Sequence, residues 1–109
     1  MKATKTEIYF GEDEPGGKHV SLKAWRAFLS AEVTPRFPDG MTVLEAYGQM
    51  QHANGRIEKQ PSRVVVPVHP PGKAADRRIH EIVQAYRGRF QNAQVMLLRS
   101  PALVKFFPD

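Results

Sequence analysis

The chain has 109 residues, 41% of them hydrophobic and 25% charged, which suffices for one hydrophobic core and leaves no room for a second independent domain. It contains no cysteine, so disulfides, thiolate nucleophiles and cysteine-ligated zinc or iron–sulfur centres are excluded. The formal charge of +5 raises nucleic acid as a partner, but the densest cations, Lys73, Arg77, Arg78, Arg87 and Arg89, surround one predicted helix whose solvated face accounts for them.

Glu7-Ile8-Tyr9-Phe10-Gly11 is an aromatic and β-branched run closed by Pro15-Gly16-Gly17, which predicts a strand and a loop. From Ser21 the period changes. Leu22, Trp25, Phe28, Leu29 and Val33 recur at helical spacing, with Ser21 as the cap, so a first helix is expected from about Leu22 to Val33. Thr34-Pro35-Arg36-Phe37-Pro38-Asp39-Gly40 then reads as a turn-rich connection. Met41 to Ala53 and Arg56 to His69 flank Asn54-Gly55, the dipeptide suited to a two-residue type I′ hairpin. After Pro70-Pro71-Gly72, the series Ile79, Ile82, Val83, Tyr86 and Phe90 predicts a second helix from about Ala74 to Phe90. Gln94 to Arg99 is the last strand, with Ser100-Pro101 dividing it from the apolar tail 102–107.

The order strand, helix, strand, strand, helix, strand implies an α+β domain over 1–109, with its core about 6–107. Its arrangement is expected to be ferredoxin-like: a four-stranded antiparallel sheet of order 4-1-3-2 with two helices on one face. No stretch approaches the roughly 18 apolar residues of a membrane helix. The expectation is a soluble chain, cytoplasmic as written, or periplasmic or secreted if a leader has been removed.

A strict two-residue turn at Asn54-Gly55 would mix polar and apolar residues on both faces of the hairpin. A bulge at Pro61, which has no N–H to donate, would separate them. Leu44, Ala46, Met50, Val64, Val66 and Val68 then lie beneath the helices with Ile8 and Phe10. Tyr9, Glu45, Tyr47, Gln49, Arg63 and His69 form the candidate binding residues on the open face, joined by Glu7. An apolar floor with a few convergent polar groups suits a small-molecule ligand. In a catalytic version His69 or Glu45 would be the general base and Arg63 would stabilise an anion. Cross-strand pairing of Glu45 or Glu7 with Arg63 explains the same residues without a ligand. The competing class is a non-catalytic self-association module, a homodimer through the open face or the C-terminal tail.

Other chemistries find little support. His19, His52, His69 and His80 show no metal-ligand spacing, a lone His80 is a weak haem ligand, and neither metal nor cofactor is expected. Ser21, Ser30, Ser62 and Ser100 lack a hydrolase context, and Gly16-Gly17-Lys18 lacks phosphate-loop spacing. RNA binding is disfavoured because Ser62 to His69 offers none of the aromatics on which bases stack.

The strand Ile8-Tyr9-Phe10-Gly11, the string Thr34-Pro35-Arg36-Phe37-Pro38-Asp39-Gly40-Met41-Thr42-Val43 and Tyr47-Gly48-Gln49 together resemble an uncharacterised bacterial domain-of-unknown-function family, number 3574, over nearly the whole chain. Its members commonly have an aromatic residue where this chain has Met50. The resemblance implies a domain extent and no reaction. Physically, Pro35 and Pro38 stiffen the approach to the next strand, and Arg36 is a candidate anion contact at the sheet edge.

Overall fold

The computed structural model describes residues 1–108; Asp109, the end of the expected domain, lies outside the described residues. The elements are β1 (Lys2–Gly11), β2 (Asp13–Glu14), β3 (Lys18–His19), α1 (Leu22–Phe28), a π-helical turn (Leu29–Val33), β4 (Thr42–Gln51), β5 (Ile57–Val66), β6 (Val68–His69), α2 (Lys73–Arg89) and β7 (Val95–Leu103). This is an α+β architecture in which the strand pairings are antiparallel. Ser21 caps α1 through a 3.0 Å bond from the Ala24 N–H to its hydroxyl, as its side chain and position predict. The helix does not continue to Val33 as an α-helix. It widens to π spacing, closed by the Thr34 N–H donating to the Leu29 carbonyl at 2.9 Å. Val33 stays buried, so the apolar stripe survives the change of pitch.

The main sheet follows the path β4-β5-β1-β6, and β7 pairs with β1 off that path; β2 and β3 form a separate two-stranded ribbon. Five strands thus replace the expected four, and the order differs from 4-1-3-2 by a second, short neighbour of β1, β6. The cause is Pro67. The Thr6 N–H donates to the Pro67 carbonyl at 3.1 Å, but proline has no N–H to return the bond, so the expected third strand divides into β5 and β6. Pro101 has the opposite outcome. Gly11 N–H donates to Gln94 at 2.8 Å, so the even residues of β7 bond β1 and the odd ones turn outward. Pro101 lies on the outward phase, and β7 runs through it to Leu103 instead of stopping at Arg99.

The hairpin corrects two expectations with one observation. His52 donates to the Arg56 carbonyl at 2.8 Å and Gly55 donates to His52 at 2.9 Å, which makes a three-residue loop, Ala53-Asn54-Gly55, with Gly55 at φ 89°. Adding one residue to the loop shifts the register by one from the two-residue case. Leu44 therefore faces Val64 and Glu45 faces Arg63 without a bulge, and pairing runs unbroken through Tyr47–Pro61. Proline is tolerated there because the Pro61 phase of β5 points away from β4. Its carbonyl accepts from Glu12 at 3.2 Å on the β1 side.

The core lies between one sheet face and the helices. Ile8, Phe10 and Val65 meet Trp25, Phe28, Ile79, Ile82 and Tyr86, all buried. Phe10 is the hub, with ring centroids at 4.6 Å from Tyr86, 5.3 Å from Trp25 and 5.8 Å from Phe28. Since Ile8 pairs with Val65 and Phe10 with Arg63, the odd residues of β5 face the helices. The set Leu44, Ala46, Met50, Val64, Val66 and Val68, expected beneath the helices, lies on the opposite face with Tyr9. Leu44, Met50 and Val68 are accordingly exposed. No helix among the described residues is long and apolar enough to cross a membrane.

Candidate functional site

The register divides the expected open-face constellation between two sides. Tyr9 lies on the helix-free face, between Val64 of β5 and Met96 of β7. Arg63 and His69 belong to the helix side, in the phase of Phe10 and Thr4, and both are buried. Glu45, Tyr47 and Gln49 share that phase on β4, beyond the reach of the helices, and are exposed.

Arg63 is committed internally. Its Nη1 donates to the Val20 carbonyl at 3.0 Å, its Nη2 reaches Glu12 at 3.2 Å, and its guanidinium lies 5.7 Å from the Trp25 ring centroid. It anchors the start of α1 to the sheet and does not face the open side. His69 is likewise enclosed. A carbonyl can only accept, so Nδ1–H donates to Pro70 at 2.9 Å, while Nε2 lies 2.8 Å from the Thr6 hydroxyl. With both nitrogens occupied and the ring 5.9 Å from Phe37, His69 is not placed as an open-face base. Arg36 is also engaged. It pairs with Glu32 at 2.9 Å and with Glu81 at 3.3 Å, joining the π-helical turn to α2 where a free anion contact was expected.

What the helix-free face does contain is a cleft of about 390 Å³ at the base of the β4–β5 hairpin. Its floor is made by residues too small to fill it. Ala46 pairs with Ser62, Gly48 with Gln60, and Gly11 with Ser62, so three adjacent strands lose side-chain bulk at one place. Gly11 suits this close approach, because a Cβ would sit 3.1 Å from the Gln94 carbonyl oxygen and press on that backbone. Tyr9 and Met96 form apolar walls, while Gln60, Gln94, Asp13 and Glu58 supply polar groups. Tyr47 and Pro61 border the cleft, and the Lys59 ammonium lies 5.6 Å from the Tyr47 ring.

The charged groups of the lining are acidic. Asp13 and Glu58 are the charged residues among the described lining; Asp13 lies 2.6 Å from His19, and Glu58 3.0 Å from His52 and 3.6 Å from Arg56, partners that stand outside the lining. Hydrogen bonds from Gln60 and His52 hold the Glu58 carboxyl below its ordinary value, so it remains ionised near neutral pH. Desolvation, then the Glu7 carboxylate that accepts the Tyr9 hydroxyl at 3.4 Å, raise the phenol, which stays a protonated donor. Among the described residues no cluster of three or more metal-binding side chains occurs. The cleft was missed in the sequence because its signal is a lack of bulk. Small residues two apart, Ala46-x-Gly48, opposite Ser62, were the available clue.

Comparison with known proteins agrees with the architecture. A solved structure of a phage SAM lyase in complex with S-methyl-5′-thioadenosine superposes with a TM-score of 0.64 at 9% sequence identity, covering 90% of this chain and 80% of that chain. This is a likeness of fold. No curated protein matches the chain. The family model described as "Protein of unknown function (DUF3574)" matches residues 5–106, and the chain therefore belongs to that family.

Proposed function

We propose that the chain is a small-molecule-binding domain that holds a neutral or cationic nucleoside-type thioether in the helix-free cleft. The observation that carries this reading is a hollow of about 390 Å³ whose charged lining is entirely acidic. A phosphate in it would meet the Glu58 and Asp13 side chains, whose ion-pair partners His52, Arg56 and His19 lie outside the lining. This argues against nucleotides and RNA despite the net charge of +5. An uncharged base and sugar suit the apolar walls at Tyr9 and Met96, with Gln60, Gln94 and the Tyr9 hydroxyl as hydrogen-bonding groups. A sulfonium would gain from the carboxylates. The thioadenosine bound by the phage SAM lyase belongs to the same chemical class, which supports the choice of probe.

Isothermal titration at neutral pH with S-methyl-5′-thioadenosine and with SAM tests the proposal, with adenosine monophosphate as the anionic counter-probe. Ala46→Leu fills the floor from an exposed position and leaves the core intact. Saturable binding of a thioether or sulfonium probe, weaker binding of the monophosphate, and at least about a tenfold loss in Ala46→Leu are expected, a transfer-sized effect for added side-chain bulk. Absence of saturable binding, or binding unaffected by Ala46→Leu, would overturn it.

A further inference from the structure

β4 is the strand at one end of the main sheet. Among the described residues β4 pairs only with β5, and all ten of its residues are exposed. Among the described residues, β5 from Ile57 to Gln60 has no partner in β1, so the pairs from Gly48–Gln60 to Gln51–Ile57 project as a two-stranded arm from a molecule 51 Å long. Isolated two-stranded ribbons are marginal in water. The β4–β5 hairpin as a whole exposes Tyr47 by 64% and Ile57 by 56%, besides Val43, Leu44 and Met50.

The two edges of the sheet differ in their protection. β7 carries Arg99 and Pro101 on its outward phase, and a proline there cannot donate to an incoming strand. β4 has no lysine, arginine or proline and a single charge, Glu45. Since His52 and Arg56 form a hydrogen-bonded pair, the even residues of β4 bond β5, and Val43, Glu45, Tyr47, Gln49 and Gln51 turn their N–H and C=O groups outward. An antiparallel partner in which odd residues meet odd residues would satisfy them.

The side chains identify that partner. Leu44-Glu45-Ala46-Tyr47-Gly48-Gln49-Met50 is a palindrome of residue character about Tyr47: apolar, polar, small, aromatic, small, polar, apolar. A two-fold interface must be complementary to itself, and this pattern is. We propose that two copies pair antiparallel along β4 across a dyad at Tyr47. Leu44 then meets the partner's Met50, Glu45 the partner's Gln49, Ala46 the partner's Gly48, and Tyr47 its own counterpart. The sheet becomes continuous, and the two clefts adjoin because Ala46 and Gly48 belong to both features. The proposal stands whatever the cleft binds.

Sedimentation equilibrium of the full chain across the micromolar range should give twice the 12.3 kDa chain mass. Gln49→Glu sets two carboxylates opposite each other at two symmetry-related places and should weaken the dimer roughly fivefold, whereas Gln49→Lys should strengthen it about as much. The chain has no cysteine, so Tyr47→Cys reports the dyad directly. Hydrogen-bonded antiparallel partners lie about 5.5 Å apart at Cα, within disulfide range, and mild oxidation should yield a covalent dimer. A wild-type monomer throughout the range would overturn the proposal. So would a dimer indifferent to charge at position 49, or one that Tyr47→Cys fails to cross-link.

Discussion

Replacing Arg63 distinguishes a site residue from an internal anchor. Its side chain is 7% exposed and that of Glu12 19%, so Arg63→Ala strands a largely desolvated carboxylate and removes the donor to the Val20 carbonyl. Breaking one side of such a buried pair costs about 3–5 kcal/mol, because the remaining charge is left uncompensated. Loss of the guanidinium beside Trp25 adds to it, while Nε, buried with no hydrogen-bond partner, returns part of its desolvation cost when deleted. A net loss of about 4 kcal/mol corresponds to roughly 15–25 °C in Tm for a domain of this size. Calorimetric unfolding of wild type and Arg63→Ala measures it, and Arg63→Met/Glu12→Gln should recover a large part by removing both charges. If Arg63→Ala melted within a few degrees of wild type yet lost ligand, the assignment of Arg63 to the helix side would be wrong.

Tyr86→Phe should cost about 1–3 kcal/mol in denaturant unfolding, since its hydroxyl donates to the Gly11 carbonyl at 2.6 Å and that acceptor would be left unpaired. Burial pushes the Tyr86 phenol well above its ordinary value of 10. Its contribution is therefore full below pH 10 and declines as pH rises toward the folded value, a slope that Tyr86→Phe should remove. Glu58 has the opposite sign. Its carboxyl is held below 4.5, so its stabilisation of the hairpin is present above that pH and disappears as pH falls through the folded value; side-chain titration by NMR, with Glu58→Gln as control, checks it. Gly55→Ala should destabilise by about 1–2 kcal/mol because φ 89° is left-handed, and amide exchange should report the loss first at the hairpin tip.

The helices were legible because each carries apolar residues at a single period. Trp25, Phe28 and Val33 in the first, and Ile79, Ile82, Tyr86 and Phe90 in the second, are buried as their spacing predicts. Leu22 stays 44% exposed because it opens the first turn, ahead of the packed surface. The hairpin's two sets of residues were also separable, since Leu44 faces Val64 and Glu45 faces Arg63. What produced the separation was not legible: Asn54-Gly55 supports either a two-residue or a three-residue loop, and only the His52–Arg56 bond distinguishes them.

Which set turns toward the helices was the harder question, and charge pointed the wrong way. Val64-Val65-Val66 is apolar on both sides, so its pattern does not choose a face, and an arginine at position 63 suggests that its own phase faces water. The choice depends on partners distant in sequence. Glu12, the Val20 carbonyl and the Trp25 ring surround the guanidinium and make burial of that phase tolerable, which sends Leu44, Met50 and Val64 to the side without helices. The apolar surface left there, hollowed where Gly11, Ala46, Gly48 and Ser62 coincide, is what makes a ligand cleft physically available. Site and anchor are therefore two results of one register: turning Arg63 inward places the small residues of β4 and β5 outward, beside the unguarded edge at Tyr47.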